Sequence, residues 1–527
     1  MTTSPALPRT RQRLILAVLL SSSLLIWLDN TILTTAFETL ADPARGLGAD
    51  PAELQWATGS YTLVFATLMF TAGALGDRFG HRTVLATGMA VFAAASVWAA
   101  YAAGPGQLIA ARAAMGLGSA LIMPASMAVL MWTFSGPART TAIGISSASA
   151  GVGVAAGPLL AGVLLDRFWW GSVFLVNIPV VVLALVGILT LIPDFRSPTR
   201  RTLDVTGLLL SVSGLASLAY GLIRAGQVTS WSDPEVWGPA AAGLALLAAF
   251  VRAELRHRQP SFDPRLLARR MFGGGNAAVG LLLLAMTASG FYGAFYFQGV
   301  RSFSPLEAGL TTTPAALGTI VGAPLGVRLV RRWSLLRVSG TALTSTALAM
   351  GCFTQFGQHT PLLPIEGVLL VQGLSIGMVI GPVTAALLAT LPLDRAGAGS
   401  AVLNTVRQTG SLLGIAVGGT LMSLVYRNAV ESSLDGAPAP VREQAQVSAE
   451  QARHLAATLD RPALADAADA AFIKAMHAGS AVLMLIALAA AALLAYALRP
   501  AGSGGGTDAD RPGPPPVDEA VPDRIKG

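Results

Sequence analysis

The chain has 527 residues, of which 53% are hydrophobic and only 12% charged, with a formal net charge of +7 and a mean hydropathy of +0.61. Soluble domains carry about 25% charged residues, so this balance excludes a soluble globular protein and selects a membrane protein. The surplus of base does not describe a nucleic-acid binder, because the basic residues punctuate apolar runs and never form one patch.

The lone cysteine, Cys352, excludes an intramolecular disulfide and a cysteine metal cluster. The five histidines form no cluster and no Gly-Lys-Ser/Thr nucleotide loop occurs, so no enzyme, metal, cofactor or ATP-driven pump is expected.

Crossing about 30 Å of hydrocarbon takes about 20 helical residues. Fourteen apolar runs approach that length: 14 to 36, 54 to 75, 83 to 103, 107 to 131, 141 to 165, 171 to 192, 204 to 224, 236 to 251, 273 to 298, 309 to 327, 336 to 356, 364 to 390, 401 to 426 and 476 to 498. The first carries Asp29 and lacks a small-residue cleavage pattern, so it reads as a retained span rather than a signal peptide. Lys and Arg concentrate on alternate connecting segments beginning with the N-terminus, which places both termini in the cytoplasm.

The basic stretches "IPDFRSPTRRTLD" (192 to 204) and "RAELRHRQPSFDPRLLARR" (252 to 270) divide the runs into six, two and six. "LGDRFGHR" (75 to 82) and "LGVRLVRR" (325 to 332) align without gaps as Leu-Gly-x-Arg-x-x-x-Arg, each after the second run of its half. The expected fold is therefore all-α, two pseudo-symmetric six-helix bundles plus two inserted helices, one of the known transporter architectures. The expected division is a cytoplasmic start (1 to 13), a first bundle (14 to 192), the inserted pair (193 to 252), a cytoplasmic loop (253 to 272), a second bundle (273 to 498) and a disordered cytoplasmic tail (499 to 527). An outer insertion, 427 to 475, rich in Ala, Gln, Glu and Asp, reads as one or two solvated helices, either a lid or a tolerated surface insertion.

Charge inside the runs is scarce and so informative. An ionised carboxylate near mid-membrane costs about 2.5 to 3.5 kcal/mol on insertion scales, so Asp29 must be paired, solvated or protonated. Arg112 lies at the same depth on the fourth run, and a rearrangement altering burial or pairing would let Asp29 load and release a proton. At Gly73, Gly76, Asp77, Arg78, Gly80 and Arg82 the glycines allow a tight turn, while the charges either latch onto a neighbouring bundle or merely hold topology. Gly153, Gly157, Pro158 and Gly162 set small residues at helical spacing around a hinge-forming proline. Candidate cavity groups are Tyr61, Tyr292 and Tyr296, within or beside aromatic stretches, and Asn404, Arg407 and Gln408 on the thirteenth run; the tyrosines of "FYGAFYF" equally suit an interfacial belt, and Arg407 equally suits snorkelling.

The string Gly73-x-Leu75-Gly76-Asp77-Arg78-x-Gly80-His81-Arg82 closely resembles the loop signature of the major facilitator superfamily. With "LDNTIL", "LQWATGSYTL" (54 to 63), Arg112 to Gly118, the Gly-Pro stretch, "PLDRAGAGSAV" (392 to 402) and "NTVRQTGSLLG" (404 to 414), the chain resembles the fourteen-span drug:proton antiporters over roughly residues 10 to 425. That resemblance implies a proton-coupled exporter of amphipathic drugs or antibiotics, with Asp29 coupling protons, Arg112 tuning that proton, the loop latching one face and the Gly-Pro stretch marking export. A small-molecule substrate, protons and the lipid bilayer are the expected partners, and a monomer the expected state.

The chain departs from the pattern at Met115, where Gln is usual, at Phe37-Glu38, where Leu-Pro is usual, and at "WWGS" (169 to 172), which lacks a Trp-Arg-Trp. The tenth run carries no acid, which speaks against a pump specific for dications. Alternatives are a facilitator or importer of a small metabolite on the same scaffold, and a non-transporting membrane receptor or embedded enzyme. The bias to Ala, Gly and Arg, with only two lysines, points to a GC-rich bacterial genome and a bacterial cytoplasmic membrane.

Overall fold

The computed structural model describes residues 8–193, 204–226, 234–256, 264–391, 396–434 and 438–499, and each of the fourteen apolar runs coincides with one helix or two successive ones, to within a few residues at its ends. The expectations for the basic segments at 194–203 and 257–263, for 392–395 and for the tail from 500 lie outside the described residues. In chain order the first half comprises α1 (Arg9–Thr35), the short α2 (Phe37–Ala41), α3 (Pro51–Phe79), α4 (His81–Ala100), α5 (Pro105–Thr133), α6 (Gly136–Arg167), the short α7 (Ser172–Leu175) and α8 (Asn177–Leu191). The inserted pair is α9 (Val205–Ala225) and α10 (Pro234–Arg256), the latter 23 residues long and so longer than its apolar run. The second half comprises the short α11 (Arg265–Ala268), α12 (Arg270–Phe295), α13 (Pro305–Arg332), α14 (Leu335–Cys352), α15 (Leu362–Ala389), α16 (Ala396–Glu431), α17 (Ala439–Val447), α18 (Ala449–Thr458) and α19 (Pro462–Leu498).

Among the described residues, eleven helices are long and apolar enough to cross a membrane, or twelve if the bent α3 is taken as one span. By length and apolarity, eleven or twelve of the fourteen expected spans are therefore evident. The other two runs fold as α6 and α14. Their lower apolarity has a visible source: α14 spends Ser339, Thr341, Thr344, Ser345 and Thr346 on hydroxyls, several of which donate back to the preceding turn.

The repeat is written in local capping chemistry. Asp50 accepts from the Glu53 amide at 2.7 Å while Glu53 accepts from the Asp50 amide at 2.9 Å, opening α3 with Pro51 at its first position. Ser304 and Glu307 form the same box around Pro305 at the start of α13. The other ends differ. Gly80, at φ 96°, stops α3 in a conformation that favours glycine, whereas α13 runs through Arg332.

Packing repeats as well. In the first half α3 and α4 pack on α5, and α1 packs on α6 and α8; in the second, α13 and α14 pack on α15, and α12 packs on α16 and α19. Two seams join the halves, α6 against α13 and α3 against α16, and they exchange under the same correspondence. The inserted hairpin breaks that symmetry, since α9 lies on both α3 and α16 and covers one seam only.

The seams close toward one end of the molecule, here the Glu38 face. There Gln298 donates to the Thr35 carbonyl at 2.7 Å, and added Cβ atoms at Gly162, Gly309 and Gly419 would meet Leu306, Pro158 and Gln55 within 2.6 Å. Toward the opposite, Gly80 face, the α3/α16 seam parts around a cavity of about 290 Å³ walled by Thr67 and Thr71, Thr405 and Thr409, and the hairpin residues Ser211 and Phe250.

The segment expected as solvated helices between the last two spans is only partly solvated. α16 continues to Glu431, α19 begins at Pro462 and α18 packs on α19, burying Ala449, Ala452 and Ala456.

Candidate functional site

Asp29 on α1 and Arg112 on α5 are both wholly buried, and Arg112 Nη1 donates to Asp29 Oδ2 at 2.5 Å. The meeting depends on close helix approach. A Cβ at Gly116 would lie 2.5 Å from the Tyr61 carbonyl oxygen, so only glycine lets α5 settle this near α3. That contact sets the Tyr61 ring 4.4 Å from the Arg112 guanidinium carbon, where the ring face attracts the cation. Arg112 Nε also donates to the Ala57 carbonyl at 3.3 Å.

Around the pair the polar groups form a chain. Tyr61 shares a 2.7 Å hydrogen bond with Ser119, and Asn30 donates to the Tyr61 hydroxyl at 3.4 Å. From α8, Asn177 donates to Asp29 Oδ1 at 3.5 Å and to Ser96 at 3.1 Å, while Ser96 donates to the Phe174 carbonyl at 2.9 Å. Within this cluster, Arg112 Nη2 and Asn177 Oδ1 are buried with no hydrogen-bond partner among the described residues. Met115, where Gln would be usual, offers Arg112 Nη1 only a thioether sulfur at 3.8 Å, a weak acceptor.

The Gly-Pro stretch of α6 touches both this centre and the other half. Cβ atoms at Gly153 and Gly157 would strike α1, at the Leu24 carbonyl oxygen (2.9 Å) and at Thr31, on either side of Asp29. One turn on, a Cβ at Gly309 of α13 would lie 2.5 Å from the Pro158 carbonyl oxygen, and a Cβ at Gly162 would lie 2.6 Å from Leu306 Cα. A single helix thus connects the buried ion pair to the closed seam.

Among the described residues, the loop at 73 to 82 makes several contacts within the first half. Asp77 lies 3.4 Å from His81 Nε2, Arg82 donates to the Leu189 carbonyl on α8, and Arg78 stacks over Phe79 at 5.3 Å. These contacts bind the loop to its own half, on the face where the α3/α16 seam parts. Gly76 is needed, because its Cβ would fall 2.5 Å from the His81 ring, whereas nothing lies within 4 Å of a Cβ at Gly73.

Among the expected cavity groups, Tyr61 joins the ion-pair centre. Tyr292 and Tyr296 point into the second half rather than into a cavity: Tyr292 bonds Ser480 of α19 at 3.0 Å, and Tyr296 donates to the Gly357 carbonyl at 2.8 Å. Their aromatic neighbours seal the Glu38 face, where Phe37 stacks on Phe295 at 5.9 Å and meets Phe291 at 5.3 Å. Arg407 donates to Thr384 on α15, and the cavity is walled by Thr405, Val406 and Thr409 instead of Asn404, Arg407 and Gln408, which lie on other faces of the same helix. Sequence reasoning missed Asn177, Ser96 and Ser119, neutral polar residues whose presence in apolar runs is too common to stand out. Asn177, in "FLVNIP", is the one that a search for buried amides would find.

A family model described as Major Facilitator Superfamily matches residues 19–415. The chain is 33% identical over 407 residues to the puromycin resistance protein pur8 of Streptomyces alboniger, an alignment covering 76% of this chain and 80% of that protein. It is 30% identical over 497 residues to the multidrug efflux pump LfrA of Mycolicibacterium smegmatis, covering 93% and 97%. Its fold is similar to the crystal structure of a bacterial homologue of the human lysosomal transporter Spinster in an inward-facing and unoccupied conformation, with a TM-score of 0.65 at 18% identity, covering 93% of this chain and 98% of that one.

Proposed function

The chain belongs to the major facilitator superfamily of membrane transporters, and from that premise we propose that it is a proton-coupled exporter of amphipathic drugs or antibiotics. It crosses a bacterial cytoplasmic membrane fourteen times, with both termini and the Gly80 face inside and the Glu38 face outside. Direction is supported by relatives that bear the names of a puromycin resistance protein and a multidrug efflux pump. Coupling rests on one observation, the wholly buried Asp29–Arg112 pair at 2.5 Å.

A buried ion pair whose partner leaves is strongly disfavoured. When the helices move, Asp29 is relieved by a proton and Arg112 by another acceptor, so protonation and rearrangement are linked. Gly153, Gly157, Pro158 and Gly162 transmit that movement to the α6/α13 seam. In the form described here the outer ends are shut and the cavity between α3, α16 and the hairpin faces inward, ready to take an amphipathic compound from the cytoplasmic side. Thr67, Thr71, Ser211, Thr405 and Thr409 supply hydroxyls, and Asp204 and Glu254 carboxylates, in a wall whose other side chains are apolar.

The test is transport by the full chain in proteoliposomes with an imposed pH gradient and a panel of cationic, neutral and anionic amphipaths. Gradient-driven export by the wild type, lost in Asp29→Asn with exchange down a substrate gradient retained, is expected. Undiminished gradient-driven export in Asp29→Asn removes this carboxylate from the mechanism, and gradient-driven uptake reverses the direction.

A further inference from the structure

The Glu38 face holds a second set of charges that the coupling scheme does not use. Arg453 on α18 donates from Nη1 to Asp469 on α19 at 2.7 Å, and from Nη2 to Glu38 on α2 at 3.2 Å and Glu450 at 3.1 Å. Glu38 belongs to the first half and the other three to the second, so this is an ion pair across the closed seam. The guanidinium has little room to move, since a Cβ at Gly299 would sit against its Nη2. The Arg453 and Glu38 side chains are only 19% and 17% exposed, and Glu38 Oε2 is buried with no hydrogen-bond partner among the described residues.

Three carboxylates around one guanidinium leave a surplus of negative charge in a largely buried site. Such a site takes up a proton rather than carry the surplus. The geometry points to a proton-operated clasp: Glu38 gains a proton as the two halves close on this face and returns it to the same side as they part. The clasp rests on the alternating-access reading, but its proton never crosses the membrane and is separate from the one assigned to Asp29.

The surroundings support this assignment. Burial first, and then the charge of Glu450, push the Glu38 carboxyl up to about 8, while Arg453 and Arg45 pull the other way. Burial works against the charge on Arg453, yet the carboxylates of Glu450, Glu38 and Asp469 hold it above its usual value, so Arg453 stays a cation throughout. Arg45 is engaged by Asp42 at 2.8 Å, and Asp466 lies one turn from Asp469 on α19. Tyr426 of α16, a further titratable neighbour, donates to the Ala445 carbonyl at 3.0 Å and so fastens α17 beside the cluster.

Parting the halves frees Glu38 from Glu450 and returns it toward its ordinary value of 4.5. Because the closed-form value is the raised one, the proton favours closure most below that ordinary value. The advantage shrinks about tenfold for each pH unit gained and is gone above about 8. An acidic exterior thus shuts the outer face, the direction an exporter driven by inward protons requires after it has released its load.

The test uses full-length protein in lipid nanodiscs with Cys352→Ser and spin labels at Ala44→Cys and Thr458→Cys, both exposed sites, one on each side of the clasp. Distance distributions are recorded from about pH 5 to about pH 9, a range spanning the titration. The wild type is expected to pass from the short to the long distance as pH rises, Glu38→Gln to hold the short distance throughout, and Glu450→Gln to make the passage at lower pH. A wild-type distribution indifferent to pH, or an unchanged passage in Glu38→Gln, overturns the clasp. Gradient-driven export by Asp29→Asn, measured separately, sinks the coupling scheme and leaves the distance result standing.

Discussion

Arg112 brings five N–H donors into a site that accepts only some of them, and that imbalance is informative. Its Nη2 is buried without an acceptor among the described residues, and Met115 contributes only a sulfur. Such a group costs about 1 to 3 kcal/mol of desolvation, which a resting site would be expected to shed and a switching site to keep. Met115→Gln supplies an amide oxygen at nearly constant volume. The variant is expected to unfold at higher temperature in detergent and to turn over more slowly, because Arg112 is held where it is. A melting temperature at or below wild type, with turnover unchanged, would show that Nη2 already has all the solvation it needs. Asp29 and Arg112 were legible in the sequence because an acid and a base in hydrocarbon at one depth have few alternatives to each other. Asn177 was not, since an amide in an apolar run carries no such compulsion.

At the scale of elements, α6 does two jobs with one row of small residues. Gly153 and Gly157 admit α1 beside Asp29, and Gly162 with Pro158 admits α13 from the other half. A side chain at Gly162 would meet backbone, Leu306 Cα at 2.6 Å and the Pro305 carbonyl oxygen at 2.8 Å, neither of which yields easily. Gly162→Leu is therefore expected to overpack the seam by about 1 to 3 kcal/mol, enough to shift the balance of forms roughly tenfold toward one parted on the Glu38 face. Thiol labelling of Thr35→Cys in a Cys352→Ser background by an impermeant reagent reads this as a faster reaction; an unchanged rate would mean that the seam is not what closes this face. The spacing of these residues was visible in the sequence, but which neighbour each one meets was not, because small-residue patterns give a helix face and no partner. The aromatic stretch on α12 shows the same gap. Tyr292 and Tyr296 bond groups more than 60 residues away in the chain, at Ser480 and Gly357, and nothing local announces it.

Over the whole molecule, the repeat read from eight aligned residues extends to matched capping boxes, matched helix pairs and two exchangeable seams. It was legible because both halves solve the same packing problem with the same residues. The asymmetries were not: the hairpin that covers one seam, the face on which the halves close, and the α17–α18 segment that carries Arg453 to Glu38 all depend on contacts remote in sequence. A closed Glu38 face and an α3/α16 seam parted on the Gly80 face belong to one form of the molecule, and the proposed transport cycle requires another. In the proposed coupling the state of the Asp29 carboxyl ties the two forms to energy, and isotope-edited infrared difference spectra between wild type and Asp29→Asn read it directly. Recorded in the closed form and in the form parted by Gly162→Leu, they are predicted to show a protonated carboxylic acid at residue 29 in one and a carboxylate in the other. The same ionised carboxylate signature in both forms would contradict the account.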